Sequence, residues 1–158
     1  MKKLSLLFGA AFLLLLGACT APCDYNVSVM DKIAEVEKTV FNVTRLLEEK
    51  NFEAVRIAFP EGKERTKATL KKLESMSAFR DDDLLRQAAI QFVTFYDGLF
   101  SNEYQEAFDL LEKGESYTMT DLDVINNISE RELEVRLHLQ SEHIAFIKKY
   151  GLIAAGTE

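Results

Sequence analysis

Cysteine, proline and histidine are scarce in this sequence, which has two of each among its 158 residues. Three residues separate Cys19 from Cys23 and no histidine follows them, so the pair matches neither a thioredoxin-type nor a haem-attachment motif. Only Pro60 falls in the part of the chain expected to fold. Apolar residues recur there with helical spacing, and no alternating strand pattern persists. We therefore predict an all-α domain.

The two histidines do not form the pattern of a metal-binding helical bundle. Ferritin-like bundles carry a Glu-x-x-His pair on each of two helices. Here Glu134 precedes His138 by four residues, and Glu142 is adjacent to His143. We expect no metal and no other cofactor. We expect His143 to be a partly buried, hydrogen-bonded side chain near one end of the bundle, with a haem or metal ligand as the alternative.

Basic residues are outnumbered, with 19 Lys and Arg against 26 Asp and Glu and a net charge of −7. An excess of negative charge repels phosphates, and no basic stripe is present, so the composition excludes nucleic acid as a partner. The sequence also holds no phosphate-binding glycine loop and no evident serine–histidine–acid set. We expect a protein that is not an enzyme.

The longest apolar run is at the N-terminus. Lys2 and Lys3 precede residues 4–16, an apolar run that only Ser5 and Gly9 interrupt. A membrane-spanning helix needs about 20 apolar residues, and this run is shorter. A basic start, a short apolar core and small residues at the exit predict a secretory signal peptide.

The residues that end this run, Leu16-Gly17-Ala18-Cys19, resemble the lipobox of bacterial lipoproteins. The resemblance implies cleavage after Ala18 and a diacylglyceryl group on the Cys19 thiol, usually with acylation of the new amino group. Two or three acyl chains anchor a protein stably to a membrane. No aspartate follows Cys19, so by analogy with sorting rules we expect the outer membrane, with the protein facing the periplasm or the cell surface.

These features divide the chain into a signal peptide (1–18), a lipidated tether (19–27), a four-helix bundle (28–151) and a flexible tail (152–158). Cleavage removes Lys2 and Lys3 and no acidic residue, so the net charge moves from −7 to −9. With Cys19 lipidated, Cys23 has no partner within the chain. It is either a free thiol in the tether or part of an intermolecular disulfide.

Four helical segments account for the bundle. The first carries a seam with spacings of four and three residues after a cap at Ser28, formed by Val29, Ile33, Val36, Val40, Val43 and Leu47. Asn51 is a plausible end for this helix. The second keeps its phase through Pro60, which predicts one kinked helix. The third is predicted to begin after Asp81–Asp83 and to bend near residues 98–102, where its apolar stripe changes phase.

The fourth segment begins near Thr120 and ends at Gly151. It is apolar over about 200° of its circumference at 100° per residue. Four such helices joined by short loops predict an up-down antiparallel bundle. The two apolar flanks of the fourth helix are Leu122, Leu133, Leu137, Ile144 and Ile147, and Ile128, Val135, Leu139, Phe146 and Tyr150.

Aromatic residues recur every four positions along the third helix: Phe92, Tyr96, Phe100, Tyr104 and Phe108. Core packing, with the two tyrosine hydroxyls reaching water, is the first interpretation. The alternative is a groove between the third and fourth helices that binds an apolar ligand or a partner helix. On the fourth helix, Glu132 is expected at the rim of such a groove.

The strings FVTFYDGLFSNEYQEAFDLLEKG and ISERELEVRLHLQSEHIAFIKKYGL resemble a family of small bacterial lipoproteins of the leptospiral surface-protein-like kind. The resemblance covers most of the mature chain and implies an envelope lipoprotein with a helical bundle. It carries over no active site. We expect a lipid-anchored binding or structural protein with an envelope protein as partner; the alternative is a carrier of an apolar small molecule or lipid.

Overall fold

The computed structural model describes residues 4–103, 108–109 and 118–152; side chains are described from residue 21 onward, except those of residues 119–122, 124 and 125. The described residues form four α-helices and no strand: α1 (Leu4–Glu48), α2 (Phe52–Ser75), α3 (Leu84–Gly98) and α4 (Met119–Lys149). A π-helical turn, Leu99–Glu103, continues α3. The predicted all-α bundle is confirmed.

Contacts between helices show that neighbours in sequence run antiparallel. The Lys72 ammonium lies 3.4 Å from the Glu35 carboxylate, whereas Asn42 lies beside Ala58 and Glu61 at the other end of the α1–α2 pair. Along α3 and α4, Lys149 bonds to Asp82 while Arg131 bonds to Glu103. In each pair the numbers rise along one helix as they fall along the other, which is the up-down order.

The seam of α1 forms one wall of the core. Val29, Ile33, Val36, Val40 and Val43 are each 8% exposed or less. Leu46 is buried and Leu47 only packs against the core from outside. The predicted seam is therefore correct as far as Val43, and its last position shifts by one residue.

The start of α1 differs from the expectation. Ser28 lies inside the helix, and its hydroxyl accepts a hydrogen bond from Lys32 instead of capping. The packed part of the chain begins no later than Tyr25. The Tyr25 ring lies 5.3 Å from the Phe79 ring and 5.7 Å from the Phe146 ring, so it closes one end of the bundle. The predicted boundary at residue 28 did not account for these aromatic contacts.

The turn between α1 and α2 also differs in detail. Lys50, not Asn51, takes the left-handed conformation, with φ of 53°. The Asn51 amide donates to the Leu46 carbonyl, which ends α1 in a Schellman motif. Asn51 then caps α2, because its side-chain oxygen accepts the Ala54 amide at 3.2 Å.

Helix α2 is continuous through Pro60, which confirms the prediction of one helix there. Pro60 is exposed, so the lost backbone hydrogen bond faces away from the core. On the buried side, the Phe100 ring lies against Gly62, where a Cβ atom would come within 2.7 Å of the ring edge. The absence of a side chain at Gly62 lets α2 approach the π-helical turn closely.

A π-helical turn, Leu99–Glu103, lies where the sequence predicted a bend at residues 98–102. One extra residue per turn rotates the side chains that follow, which explains the phase change seen in the sequence. The predicted end of α4 is also confirmed: Gly151 has φ of 64°, and the Leu152 amide donates to the Ile147 carbonyl.

The entry to α3 is a tight turn in which Arg80 and Asp81 both have positive φ, 49° and 66°. Asp83 occupies the cap position but makes no capping bond, because its carboxylate binds the side chains of Arg86 and Gln87. Asp82 instead accepts the Leu84 amide at 3.4 Å. The acidic cluster therefore starts the helix, as predicted, through Asp82.

Candidate functional site

The predicted lipid-attachment site is in the first part of α1. Ala18 and Cys19 both fall within the helix Leu4–Glu48, but their side chains lie outside the described part of the structure. Cys23 is exposed, with a free thiol. None of the helices in the described ranges has a stretch long and apolar enough to span a membrane.

The aromatic ladder is largely core. Phe92, Tyr96, Phe100 and Phe108 are each 4% exposed or less, whereas Tyr104 lies outside the described residues. The rings pack edge-on, as between Phe92 and Tyr96, whose centroids are 4.9 Å apart. Core packing therefore accounts for the four described members.

The Tyr96 hydroxyl does not reach water, contrary to the expectation. It donates to the Glu132 carboxylate at 2.6 Å and accepts from the Arg136 guanidinium at 2.6 Å. Arg136 also bonds to Glu132 at 2.9 Å and to Glu37 of α1 at 2.7 Å. One guanidinium thus links α1, α3 and α4.

This network satisfies every charged group in it. Burial lowers the pKa of Arg136, but the hydrogen bonds that it donates to Glu132 and Glu37 more than compensate and raise that pKa above its ordinary value. The guanidinium also covers the Phe92 ring at 5.4 Å and the Tyr96 ring at 5.7 Å, a cation–π arrangement. Glu132 is half-buried, and its expected place at the rim of a groove between α3 and α4 stays a prediction.

Beside this network is a cleft between α1 and α4 with a volume of about 320 Å³, which we call the α1–α4 cleft. Its floor is apolar, built from Ile33, Phe92 and Leu139, with half-buried Met30 beside it, and its polar lining comes from Glu37, Arg136, Gln140 and His143. Phe92 is thus the member of the aromatic ladder placed at this opening.

His143 lines the α1–α4 cleft, three residues before Phe146, whose ring packs on Tyr25 at one end of the bundle. The His143 side chain is half-buried, as expected, but contrary to the expected hydrogen bond its Nε2 atom is enclosed without a hydrogen-bond partner within the described residues. Burial lowers the pKa of this imidazole, which favours the neutral form. A neutral Nε2 without a protein partner can donate or accept one hydrogen bond from a molecule in the cleft.

The two apolar flanks of α4 differ in burial. Leu139 and Phe146 are buried, at 6% and 3% exposure, and Ile128, Val135 and Tyr150 pack against the same core. On the other flank, exposure reaches 58% for Leu133, 55% for Leu137 and 41% for Ile144. Isolated exposed apolar side chains are ordinary, but three in one row on one helix are a feature of contact surfaces.

Sequence reasoning singled out neither Arg136 nor Glu37. The spacing of Glu132 and Arg136, four residues apart on a helix, is a detectable signal for the first pair. No local signal marks Glu37, which lies 99 positions from Arg136. Among the described residues, no group of three or more His, Cys, Asp or Glu side chains could hold a metal ion.

Comparison of the chain with models of known protein families, with curated proteins and with solved structures finds no match in any of the three. The fold therefore defines the class, a four-helix bundle, and the likeness to small envelope lipoproteins stays a prediction.

Proposed function

We propose that this protein is a lipid-anchored lipoprotein of the bacterial envelope that acts by binding a protein partner rather than by catalysis. The observation that carries the proposal is the exposed apolar row on α4, formed by Leu133, Leu137 and Ile144. Helix α4 already packs on the core through its opposite flank, which includes Leu139 and Phe146. The exposed row therefore takes no part in the contacts that hold α4 in the bundle. The side chains of this row are about half exposed, so burying the rest of each in a contact contributes roughly 1 kcal/mol, which favours a partner.

The anchoring half of the proposal rests on the sequence Leu16-Gly17-Ala18-Cys19. Replacement Cys19→Ser removes the thiol that would receive the diacylglyceryl group. We expect the variant to lose incorporation of a clickable fatty acid in growing cells and to leave unprocessed or unanchored protein. Cys23→Ser is the matched control and should keep the label. Labelling that persists in Cys19→Ser would refute the lipid anchor.

The binding half is tested by photo-crosslinking in intact cells. A photoreactive amino acid at Leu137 should give discrete protein adducts. The same group at Leu84, a leucine 63% exposed on α3 and away from the row, should not. Equal labelling at the two positions, or none at Leu137, would remove the row as a docking surface.

A second function is favoured by the α1–α4 cleft, whose enclosed His143 Nε2 lacks a partner within the described residues. The cleft suits a small apolar molecule with one polar group, as for a carrier. Native mass spectrometry of the purified protein should then show added mass. Met30→Trp, at the cleft, should abolish it, whereas Val27→Trp, at an exposed position on the same helix, should not.

A further inference from the structure

The exposed row on α4 is part of a regular heptad pattern. Its positions are spaced 4, 3, 4 and 3 residues apart and lie on average about 130° around the helix from the buried Leu139 and Phe146. This is the spacing with which one helix packs lengthwise on another. We call these residues the outer seam: Leu133, Leu137, Gln140, Ile144 and Ile147.

Two charged residues flank the outer seam at equivalent heptad positions. Glu134 follows Leu133, and Lys148 follows Ile147. Both side chains are exposed, and neither forms an ion pair within the described ranges of the chain. One edge of the outer seam thus carries an acidic side chain, Glu134, in its N-terminal half, without an ion-pair partner among the described residues. The same edge carries a basic one, Lys148, in its C-terminal half.

We propose that the outer seam binds a second copy of this chain, with the two α4 helices antiparallel. In this register Leu133 lies opposite Ile144 of the second copy, and Leu137 lies opposite Gln140 of the second copy. The flanking positions then bring Glu134 to Lys148 of the second copy, and two-fold symmetry forms this pair twice. The edge charges of α4 are therefore complementary to themselves.

The parallel alternative lacks this complementarity. It sets each residue beside its own equivalent, so Glu130, in line with the seam at its N-terminal end, meets a second Glu130. Glu134 and Lys148 would lie at different heights, 14 residues or about 21 Å apart along the helix. Like charges at facing positions oppose association, and opposite charges set the orientation of paired helices.

This inference rests on the proposed docking function, and it names the partner. It is tested on the full protein, purified from membranes in detergent under reducing conditions so that Cys23 forms no disulfide. A zero-length carbodiimide reagent joins a carboxylate to an amine only where the two touch. A peptide containing Glu134 joined to Lys148 can arise only between two chains, because about 21 Å of helix separates them within one chain.

We expect a dimer by sedimentation that falls to a monomer in Leu137→Glu and is kept in Leu84→Glu, a leucine of similar exposure outside the seam. The crosslinked peptide should be lost with the dimer. Glu134→Lys and Lys148→Glu should each weaken the dimer severalfold, and the double variant should restore it, because the swap recreates both pairs.

Three results would contradict the antiparallel pairing of two α4 helices. A monomer at every concentration, a dimer that Leu137→Glu leaves intact, or a dimer that the double swap does not restore would each overturn it. If the chain is a monomer but photo-crosslinks from Leu137 reach other envelope proteins, the docking function stands and self-association fails. If those crosslinks are absent as well, both fail.

Discussion

Gly62 shows how one residue sets the distance between α2 and the π-helical turn. A Cβ atom there would lie 2.7 Å and 2.9 Å from two carbons of the Phe100 ring, which is itself buried. Alanine gains about 1 kcal/mol of helix propensity over glycine. Overpacking a filled core costs typically 1–3 kcal/mol, so the contact should outweigh the gain.

We therefore predict that Gly62→Ala destabilises the bundle by about 1 kcal/mol, measured by chemical denaturation. Gly98→Ala is the matched control, because Gly98 is exposed at the end of α3 and a Cβ there has no neighbour within 4 Å. It should stabilise the protein by up to about 1 kcal/mol. If Gly62→Ala stabilised the protein as Gly98→Ala is expected to, the Phe100 ring would move aside freely and the predicted contact would cost nothing.

At the residue scale, sequence spacing located side chains better than it located their partners. Phe92 and Phe100 were predicted to be core, and they are. The Tyr96 hydroxyl was expected in water because the pattern of α3 carries no information about α4. Its acceptor, Glu132, is 36 positions away, and only the packing of the two helices brings the groups together.

At the scale of helices, the core-facing side of α1 could be predicted correctly because its apolar stripe is narrow. One row of valines and one isoleucine leaves a single possible core face. Helix α4 is apolar over a much wider arc, and a helical wheel cannot say which flank meets neighbours. The structure selects Leu139 and Phe146 for the core and leaves Leu133 and Leu137 outside, because α3 approaches from one side only.

The seam of α1 gives a prediction at this scale. Val36 is 1% exposed, so Val36→Asp would bury a carboxylate without a partner, at a cost of several kcal/mol. Domains of this size have a total stability of roughly 5–15 kcal/mol, so the variant should lose much of it and melt far lower or without cooperativity. Thermal unfolding followed by circular dichroism measures this effect.

Lys38→Asp is the control, since Lys38 lies on the same helix with its side chain exposed. Surface substitutions usually change stability by no more than about 0.5 kcal/mol. Similar melting curves for the two variants would mean that the α1 seam does not support the fold.

At the scale of the whole molecule, the proposed lipid anchor at Cys19 would restrict how two copies can meet. Cys19 is six residues before Tyr25, which already packs at the end of the bundle. Six residues reach at most about 21 Å, whereas in the proposed register the end of α4 at Lys149 lies 18 residues, or about 27 Å, from Phe146 of the second copy, which Tyr25 of that copy contacts. An antiparallel pair therefore holds its two anchors at opposite ends.

Such a pair can attach to one lipid layer only by lying flat. Removal of residues 1–18 would leave a chain with a net charge of −9, and negative charge on this scale is repelled by anionic lipid. Upright bundles from two facing lipid layers meet without that repulsion. If both the lipid anchor and the outer-seam pairing are correct, the protein should connect facing membranes.

We predict that the lipidated protein, reconstituted into vesicles containing anionic lipid, clusters them, as measured by dynamic light scattering. Leu137→Glu should abolish clustering, and Leu84→Glu should leave it unchanged. Mixing wild-type vesicles with Leu137→Glu vesicles should give clusters that exclude the variant, because each contact needs a seam from both sides. A dimer that forms without clustering would mean that both copies lie along one membrane, held there against their charge.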